Sequence, residues 1–297
     1  RIVMRHNVVI IGAGPAGVAT AIQLKRYGIT PLLFEKEAVG GLLRNAQWVE
    51  NYPGFPHGIG GLDLVRRFAK QLEVAELPVC FENVLEVRYG EGTFFIKTDQ
   101  REMLSSVVVL ASGTKPKTLK DFPISEVVQN QLFYEVFPLL KVKKKDIAIV
   151  GAGDAAFDYA LTMAKKNRVK ILNRRSRARC IPVLLERCSR TRNVNHLQNV
   201  RVQDIRKCKD KLAFHCIFNG TKEELIFSDY GIVAVGREPC VDFVHPQVQQ
   251  NLSALINSHK VFLVGDVCNP MYRQTAIGVG NGVQSAMKIS EIIRRED

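Results

Sequence analysis

Two stretches of this chain repeat one pattern, and that pattern leaves few folds open. VVIIGAGPAGVATAIQL (Val8 to Leu24) and IAIVGAGDAAFDYALTM (Ile147 to Met163) align without a gap at an offset of 139 residues. Each opens with a short β-branched run, turns at G-x-G, and continues with apolar residues at helical spacing. The first glycine of each loop, Gly12 or Gly151, permits the sharp turn. The second, Gly14 or Gly153, lets a pyrophosphate approach the backbone, and the third small residue, Gly17 or Ala156, lets the helix pack on the strand. The helix N-terminus then offers unpaired N–H groups and the positive end of its dipole to phosphate. One such loop is weak evidence. Two, each followed by a second strand at the expected distance, specify a pair of dinucleotide-binding units.

The two second strands end in opposite chemistry. TPLLFEK puts Glu35 at a strand end, 23 residues after Gly12. A carboxylate there accepts hydrogen bonds from both hydroxyls of an adenosine ribose. VKILNRR ends in Asn173, Arg174 and Arg175, the first of them 22 residues after Gly151, and Arg179 follows. An acid would repel a 2′-phosphate, whereas guanidinium groups bind it through forked, charge-assisted hydrogen bonds. The first loop therefore suits FAD, and the second suits NADP(H) over NAD(H). The alternative for the three arginines is a solvated basic loop.

The remaining segments complete an α/β chain. PVCFENVLEVRYG and GTFFIKTD read as antiparallel strands, and SSVVVLASGTKP as a strand returning to the first sheet, with Ser112 and Gly113 closing over the nucleotide. VRVQDIRKCKDKLAFHCIF reads as a matching hairpin in the second unit, followed by YGIVAVGREP. HKVFLVGDVCNPMYRQTAIGVGNGVQSAMKISEII reads as a strand, a Gly-Asp, a loop and a long helix. Gly278, Gly280 and Gly282 in that helix are poor helix formers and suggest close packing on a neighbour. The expected fold is two Rossmann-like, three-layer ββα domains, the second inserted into the first. Residues 1–113 and 241–297 form an FAD-binding domain, and residues 114–240 an NADP(H)-binding domain.

Charge and cysteine usage narrow the partners. Of the net charge of +13, residues 114–240 carry +12, from 25 Lys and Arg against 13 Asp and Glu. Such a surface suits an acidic protein, a phosphorylated ligand or nucleic acid, and the alternative is a solvated surface with a few phosphate contacts. No recognised nucleic-acid motif accompanies it, and the arginines have a dinucleotide phosphate to bind. The seven cysteines include no C-x-x-C and no cluster with histidine, which argues against a disulfide scaffold and a metal site and for a reducing cytoplasm. No apolar run reaches membrane-spanning length, and the polar start over residues 1 to 6 does not read as a signal peptide.

Taken together, GAGPAG (12–17), Glu35, Gly40-Gly41, ENYPGF (50–55), ASGTKP (111–116), GAGDAA (151–156), NRRSRAR (173–179), AVGREP (234–239), GDV (265–267) and YRQTA (272–276) span the chain. In these motifs the sequence resembles the low-molecular-weight thioredoxin reductase family of two-domain pyridine-nucleotide flavoproteins. The resemblance implies a homodimeric, NAD(P)H-dependent flavoprotein oxidoreductase with FAD in the outer domain and NADPH in the inserted one. It extends the FAD set to Pro15, Ala16, Lys36, Gly41, Leu42, Ala111 and Gly265, and the NADP set to Asp154, Ala155 and Gly236. It implies that Asn51 approaches the isoalloxazine, that Asp266 takes a ribityl hydroxyl, and that Arg273, Gln274 and Thr275 lie beside the flavin pyrimidine at the start of the last helix. A reduced flavin is negative near N1 and O2, and a helix N-terminus stabilises that charge.

The resemblance breaks at one place. In the family, two redox cysteines precede the second loop by 17 and 14 residues, and here those positions are Tyr134 and Phe137, with Pro138 in place of an acid. Aromatic rings do no disulfide exchange. Reduction of thioredoxin by the family route is therefore not expected. Hydride transfer to flavin needs proximity and orientation more than an acid or base, so that half of the chemistry survives. A related branch, the thioredoxin reductase-like ferredoxin–NADP reductases, carries Y-x-V where Tyr134-Glu135-Val136 sits, which suggests an acidic ferredoxin or flavodoxin as acceptor. A small acceptor such as a quinone or a disulfide is a second possibility, with Tyr134 or Phe137 lining the flavin; ordinary burial is the alternative for those two rings. A dithiol built from Cys180, Cys188 or Cys268, and a non-catalytic flavin or NADP(H) sensor, complete the alternatives.

Overall fold

The alternation of side chains along one five-residue strand shows how the middle of the chain is layered. In the computed structural model, Asp146–Val150 lies in a parallel sheet of order Val194–Leu197, Arg168–Leu172, Asp146–Val150, Tyr230–Val233, Leu132–Phe133. Successive strand residues face opposite sides. Ile147 and Ile149 join a core with Val169, Ile171 and Ile232 against Phe157, Ala160 and Met163 of the Asp154–Ala164 helix. Ala148 and Val150 face the other way, into a core with Leu172, Val233, Val202, Leu212, Phe214 and Ile226. The last four come from a three-stranded antiparallel meander, Val200–Cys208, Lys211–Phe218 and Lys222–Ser228. Helices, parallel sheet and meander thus make three layers. The sequence reading foresaw the first two strands of the meander but not Lys222–Ser228, whose polar start hides its Leu-Ile-Phe centre.

The structure describes residues 5–119, 126–269 and 271–296; the polar start read over residues 1 to 6 lies largely outside them. By contacts, the described chain divides into two units. One comprises residues up to Arg44, Trp48–Lys115 and Glu238 onwards, and the other Asn45–Gln47 and Pro116–Arg237. These borders fall two or three residues from the expected ones, and Asn45–Gln47 go with the second unit. The chain passes between the units through Thr114–Pro116 and Arg237–Pro239, which pair with each other.

The first unit has a sheet of order Val79–Phe81, Leu32–Glu35, Arg5–Ile11, Glu102–Leu110, Thr93–Thr98, Val84–Gly90. Its long strand serves two partners on one side. Glu102 to Ser105 pair antiparallel with Phe94 to Lys97, whereas Val108 to Leu110 pair in parallel with the strand Val261–Leu263. The run from Val107 to Leu110 is buried throughout, as a strand covered on both faces requires. Val79–Phe81 is a strand of its own, parallel to Leu32–Glu35, and only Val84–Gly90 forms the hairpin with Thr93–Thr98. The expected single strand over this segment is therefore two, separated by Glu82 and Asn83.

Candidate functional site

Both glycine loops follow directly on a parallel strand and are held by the same set of backbone contacts. Gly12 has φ +107°, and a Cβ there would stand 2.3 Å from the Ala111 carbonyl oxygen. Gly151 has φ +134°, and its Cβ would stand 2.2 Å from the Ala234 oxygen. No other residue type fits either position. The N–H of Gly12 donates to Phe34 O (2.8 Å) and that of Gly151 to Leu172 O (3.1 Å). The next carbonyls, Ala13 and Ala152, accept from Gly40 N and Arg179 N, both at 2.8 Å. The internal repeat is thus a repeat of geometry.

The residues present fit bound pyrophosphates. Gly14 and Gly153 have no heavy atom within 4 Å of where a Cβ would be, so the backbone of each loop presents an open face. These glycines cap the Pro15–Arg26 and Asp154–Ala164 helices, and neither helix start has a side-chain cap. Helix N-termini without a capping side chain leave N–H groups for an anion. At the third position a Cβ on Gly17 would lie 1.9 Å from Gly12 O, whereas the second loop accommodates the buried methyl of Ala156.

Around the first loop the fold gathers most of the expected residues. Glu35, placed by the end of its strand, accepts from Ala13 N–H through Oε2 (2.9 Å) and from Glu37 N–H through Oε1 (3.0 Å). A Cβ on Gly41 would lie 3.4 Å from Gly14 Cα, and one on Gly265 2.8 Å from Ala16 Cβ. Leu42 follows in the same short 3-10 turn, Gly41–Asn45. Ala111 N–H donates to Ile11 O (2.9 Å), Ser112 Oγ donates to Cys240 O (2.7 Å), and Gly113 O accepts from Cys240 N (3.0 Å). Lys36 is exposed and lies 4.0 Å from Glu37. Asn51 and Gln274, 223 positions apart, are joined by Asn51 Nδ2 donating to Gln274 Oε1 at 2.9 Å. Asp266 sits in the turn Gly265–Val267, and Thr275 begins the Thr275–Glu296 helix directly after Arg273 and Gln274. Residues 50 to 56 line an open cavity of about 400 Å³ that includes Asn51.

Around the second loop the chemistry is cationic. Asn173 accepts from Arg175 N–H through Oδ1 (3.0 Å), and its amide nitrogen lies 3.3 Å from Nε2 of His196. That turn projects Arg174, Arg175 and Arg179 into solvent, together with Arg177, which the sequence reading did not single out. Among the described residues, none of these four pairs with a carboxylate. Asp154 Oδ1 accepts from Ile181 N–H (2.8 Å), Ala155 is exposed, and Gly236 (φ +120°) accepts from Lys117 N–H at 2.9 Å.

Tyr134 and Phe137 differ in setting. Tyr134 packs against the meander-side core, and burial pushes its hydroxyl pKa up. Phe137, on a 3-10 turn, is partly exposed, and Val136 between them is buried. The backbone is clasped by Asn45, which sequence reasoning missed. Its Oδ1 accepts from Phe137 N–H and its Nδ2 donates to Glu135 Oε2, both at 3.0 Å. Arg237 lies 3.4 Å from the other Glu135 oxygen. Close by, Gln47 N–H donates to Asp158 at 3.1 Å, yet burial pushes that carboxyl up to about 6. All seven cysteines are free thiols. Burial pushes Cys188 up to about 12 and raises Cys180 and Cys268 as well, so none of these three is poised as a thiolate.

Two Rossmann-like units with open glycine loops, one ending its second strand in a carboxylate and the other in free arginines, define a two-dinucleotide flavoprotein. The family model described as pyridine nucleotide-disulphide oxidoreductase matches residues 6–282, and the chain belongs to that family. It is 26% identical to the thioredoxin reductase of Mycolicibacterium smegmatis over 98% of both chains. The structure resembles Lactococcus lactis thioredoxin reductase at a TM-score of 0.85 and 23% identity, covering 98% of this chain and 99% of that one. It also resembles the bacillithiol disulfide reductase of Staphylococcus aureus at a TM-score of 0.76 and 19% identity, covering 97% and 99%. The protein is an NAD(P)H-dependent flavoprotein oxidoreductase of thioredoxin reductase-like build, with FAD and NADP(H) as cofactors. Among the described residues, no helix is long and apolar enough to cross a membrane.

Proposed function

We propose that this chain takes electrons from NADPH and delivers them from its flavin directly to an external acceptor, without a cysteine relay. FAD, when bound, supplies a ring that accepts a hydride from the nicotinamide. Gly12, Gly14 and the start of the Pro15–Arg26 helix would hold its pyrophosphate, and the Glu35 carboxylate at its strand end would accept from the ribose hydroxyls. Asn51 and Gln274, already bonded, orient the flavin edge, and the start of the Thr275–Glu296 helix stabilises negative charge there. Gly151, Gly153 and the Asp154–Ala164 helix hold the second pyrophosphate, while Arg174, Arg175 and Arg179 take the 2′-phosphate.

The observation that carries the acceptor reading is the Tyr134-Glu135-Val136-Phe137 segment, with Tyr134 and Val136 packed and the backbone clasped by Asn45, where a relay would need two thiols. The acceptor we favour is a small acidic electron carrier of ferredoxin or flavodoxin type, drawn to the +12 charge of residues 114–240. We place the protein in the cytoplasm as a homodimer, following the family. A second reading, reduction of a low-molecular-weight disulfide, is favoured by the likeness to bacillithiol disulfide reductase. Anaerobic turnover with NADPH tests these readings against thioredoxin, ferredoxin, flavodoxin and bacillithiol disulfide. A carrier should be reduced with a KM that rises with salt, whereas turnover of bacillithiol disulfide with neither ferredoxin nor flavodoxin reduced would favour the second reading. Sustained reduction of thioredoxin would overturn both.

A further inference from the structure

The second unit has another concavity, at the far end of the sheet that carries its glycine loop. A cavity of about 400 Å³ is lined by Asp146, Arg168, Lys170, Arg192, Asn195 and Phe227, among others. Asp146 begins the strand whose last residue, Val150, leads into Gly151. At roughly 3.3 Å per residue the cavity lies about 15 Å from the loop. Nucleotides bind such sheets beyond the carboxyl ends of the strands, so this end is not the dinucleotide site.

The lining is largely cationic and includes apolar residues, of which Phe227 is the exposed one. Asp146, the acid of the cavity, is already engaged. Arg168 grips both its oxygens at 2.7 and 2.9 Å, Lys211 lies 3.3 Å away, and these partners hold the carboxyl below its ordinary range. Lys170 and Arg192 are exposed, and among the described residues neither pairs with a carboxylate. Their charge is therefore available. Phe227 projects from the edge strand Lys222–Ser228 and remains 42% exposed, while its neighbours Ile226 and Ser228 are buried. An exposed phenyl ring beside two free cations matches a ligand with an aromatic plane and an anionic group. The volume falls within the range of about 300–1,000 Å³ usual for small-molecule pockets.

We infer that this cavity binds a planar aromatic anion bearing one phosphate or carboxylate, its ring against Phe227 and its charge between Lys170 and Arg192. The side-chain amide of Asn195 stands in the same lining to meet a polar atom on the ring. Calorimetric titration of 1-naphthyl phosphate into the full chain, with FAD and NADP⁺ saturating, tests this. One equivalent should bind, and 1-naphthol and inorganic phosphate should each bind at least about tenfold more weakly. Lys170→Ala with Arg192→Ala should weaken the probe by at least about tenfold, and so should Phe227→Ser. These positions are exposed, so unchanged melting temperatures would show that the fold is retained. Arg174→Ala with Arg175→Ala should leave the probe bound as before. Absence of saturable binding at about millimolar probe would overturn the inference. So would binding that ignores Lys170→Ala with Arg192→Ala, or that tracks the Arg174 and Arg175 substitutions instead. Inorganic phosphate binding as well as the probe, with no effect of Phe227→Ser, would remove the aromatic half and overturn it too.

Discussion

Arg174 and Arg175, to which we assign the 2′-phosphate, are exposed, and among the described residues neither pairs with a carboxylate. Arg174→Ala with Arg175→Ala should raise KM for NADPH by at least about tenfold while changing KM for NADH by less than about twofold, as expected for lost charge-assisted hydrogen bonds. Steady-state kinetics with both nucleotides checks this, and equal effects would remove the 2′-phosphate role. The position of these arginines just past the Arg168–Leu172 strand was legible from the sequence, because it follows from counting along one strand–loop–helix unit. So were Gly12 and Gly151, whose positive φ and contact with a carbonyl belong to the loop itself. Asn45 was not legible. Its amide bonds to Glu135, 90 positions away, and no local pattern distinguishes it from any surface asparagine.

Among elements, the pairing of the first and last helices separates glycines that look alike in sequence. Gly278, Gly280 and Gly282 all suggest close packing, yet only two of them meet the Pro15–Arg26 helix or its surroundings. A Cβ on Gly282 would lie 2.4 Å from Ala16 O and one on Gly278 3.6 Å from Ala16 Cβ, whereas Gly280 faces open space. Gly282→Ala should therefore destabilise by about 1–3 kcal/mol through overpacking. Gly280→Ala should stabilise by up to about 1 kcal/mol, since it only improves helix propensity. Thermal melts of the two variants should move in opposite directions, and a common direction would contradict this helix pairing. The strands show a parallel limit. Lys222–Ser228 opens on a lysine and two glutamates, so only its partner Lys211–Phe218 decides that it is a strand.

For the whole molecule, each unit carries its own hydrophobic core. The clusters described for the second unit draw only on residues between Leu119 and Ala234, and that of the first on Val9 to Leu110 and Val241 to Leu263. Residues 114–240 expressed alone should therefore fold, with the paired strands Thr114–Pro116 and Arg237–Pro239 holding the ends together. The fragment should melt cooperatively and bind 2′,5′-ADP, read by circular dichroism and calorimetry; an unfolded fragment would show that its core is incomplete without Asn45–Gln47. The sequence by itself determined two glycine loops, each opening a helix, and the charge that follows each second strand, because a turn's φ, a helix's N-terminus and a strand-end charge are properties of neighbours in the chain. Only the tertiary structure decided how the segment in place of the missing cysteines is held, which glycines are crowded, and that Lys170, Arg192 and Phe227 line one cavity. Those are contacts between segments far apart in sequence, fixed by how the layers bury their apolar faces against one another.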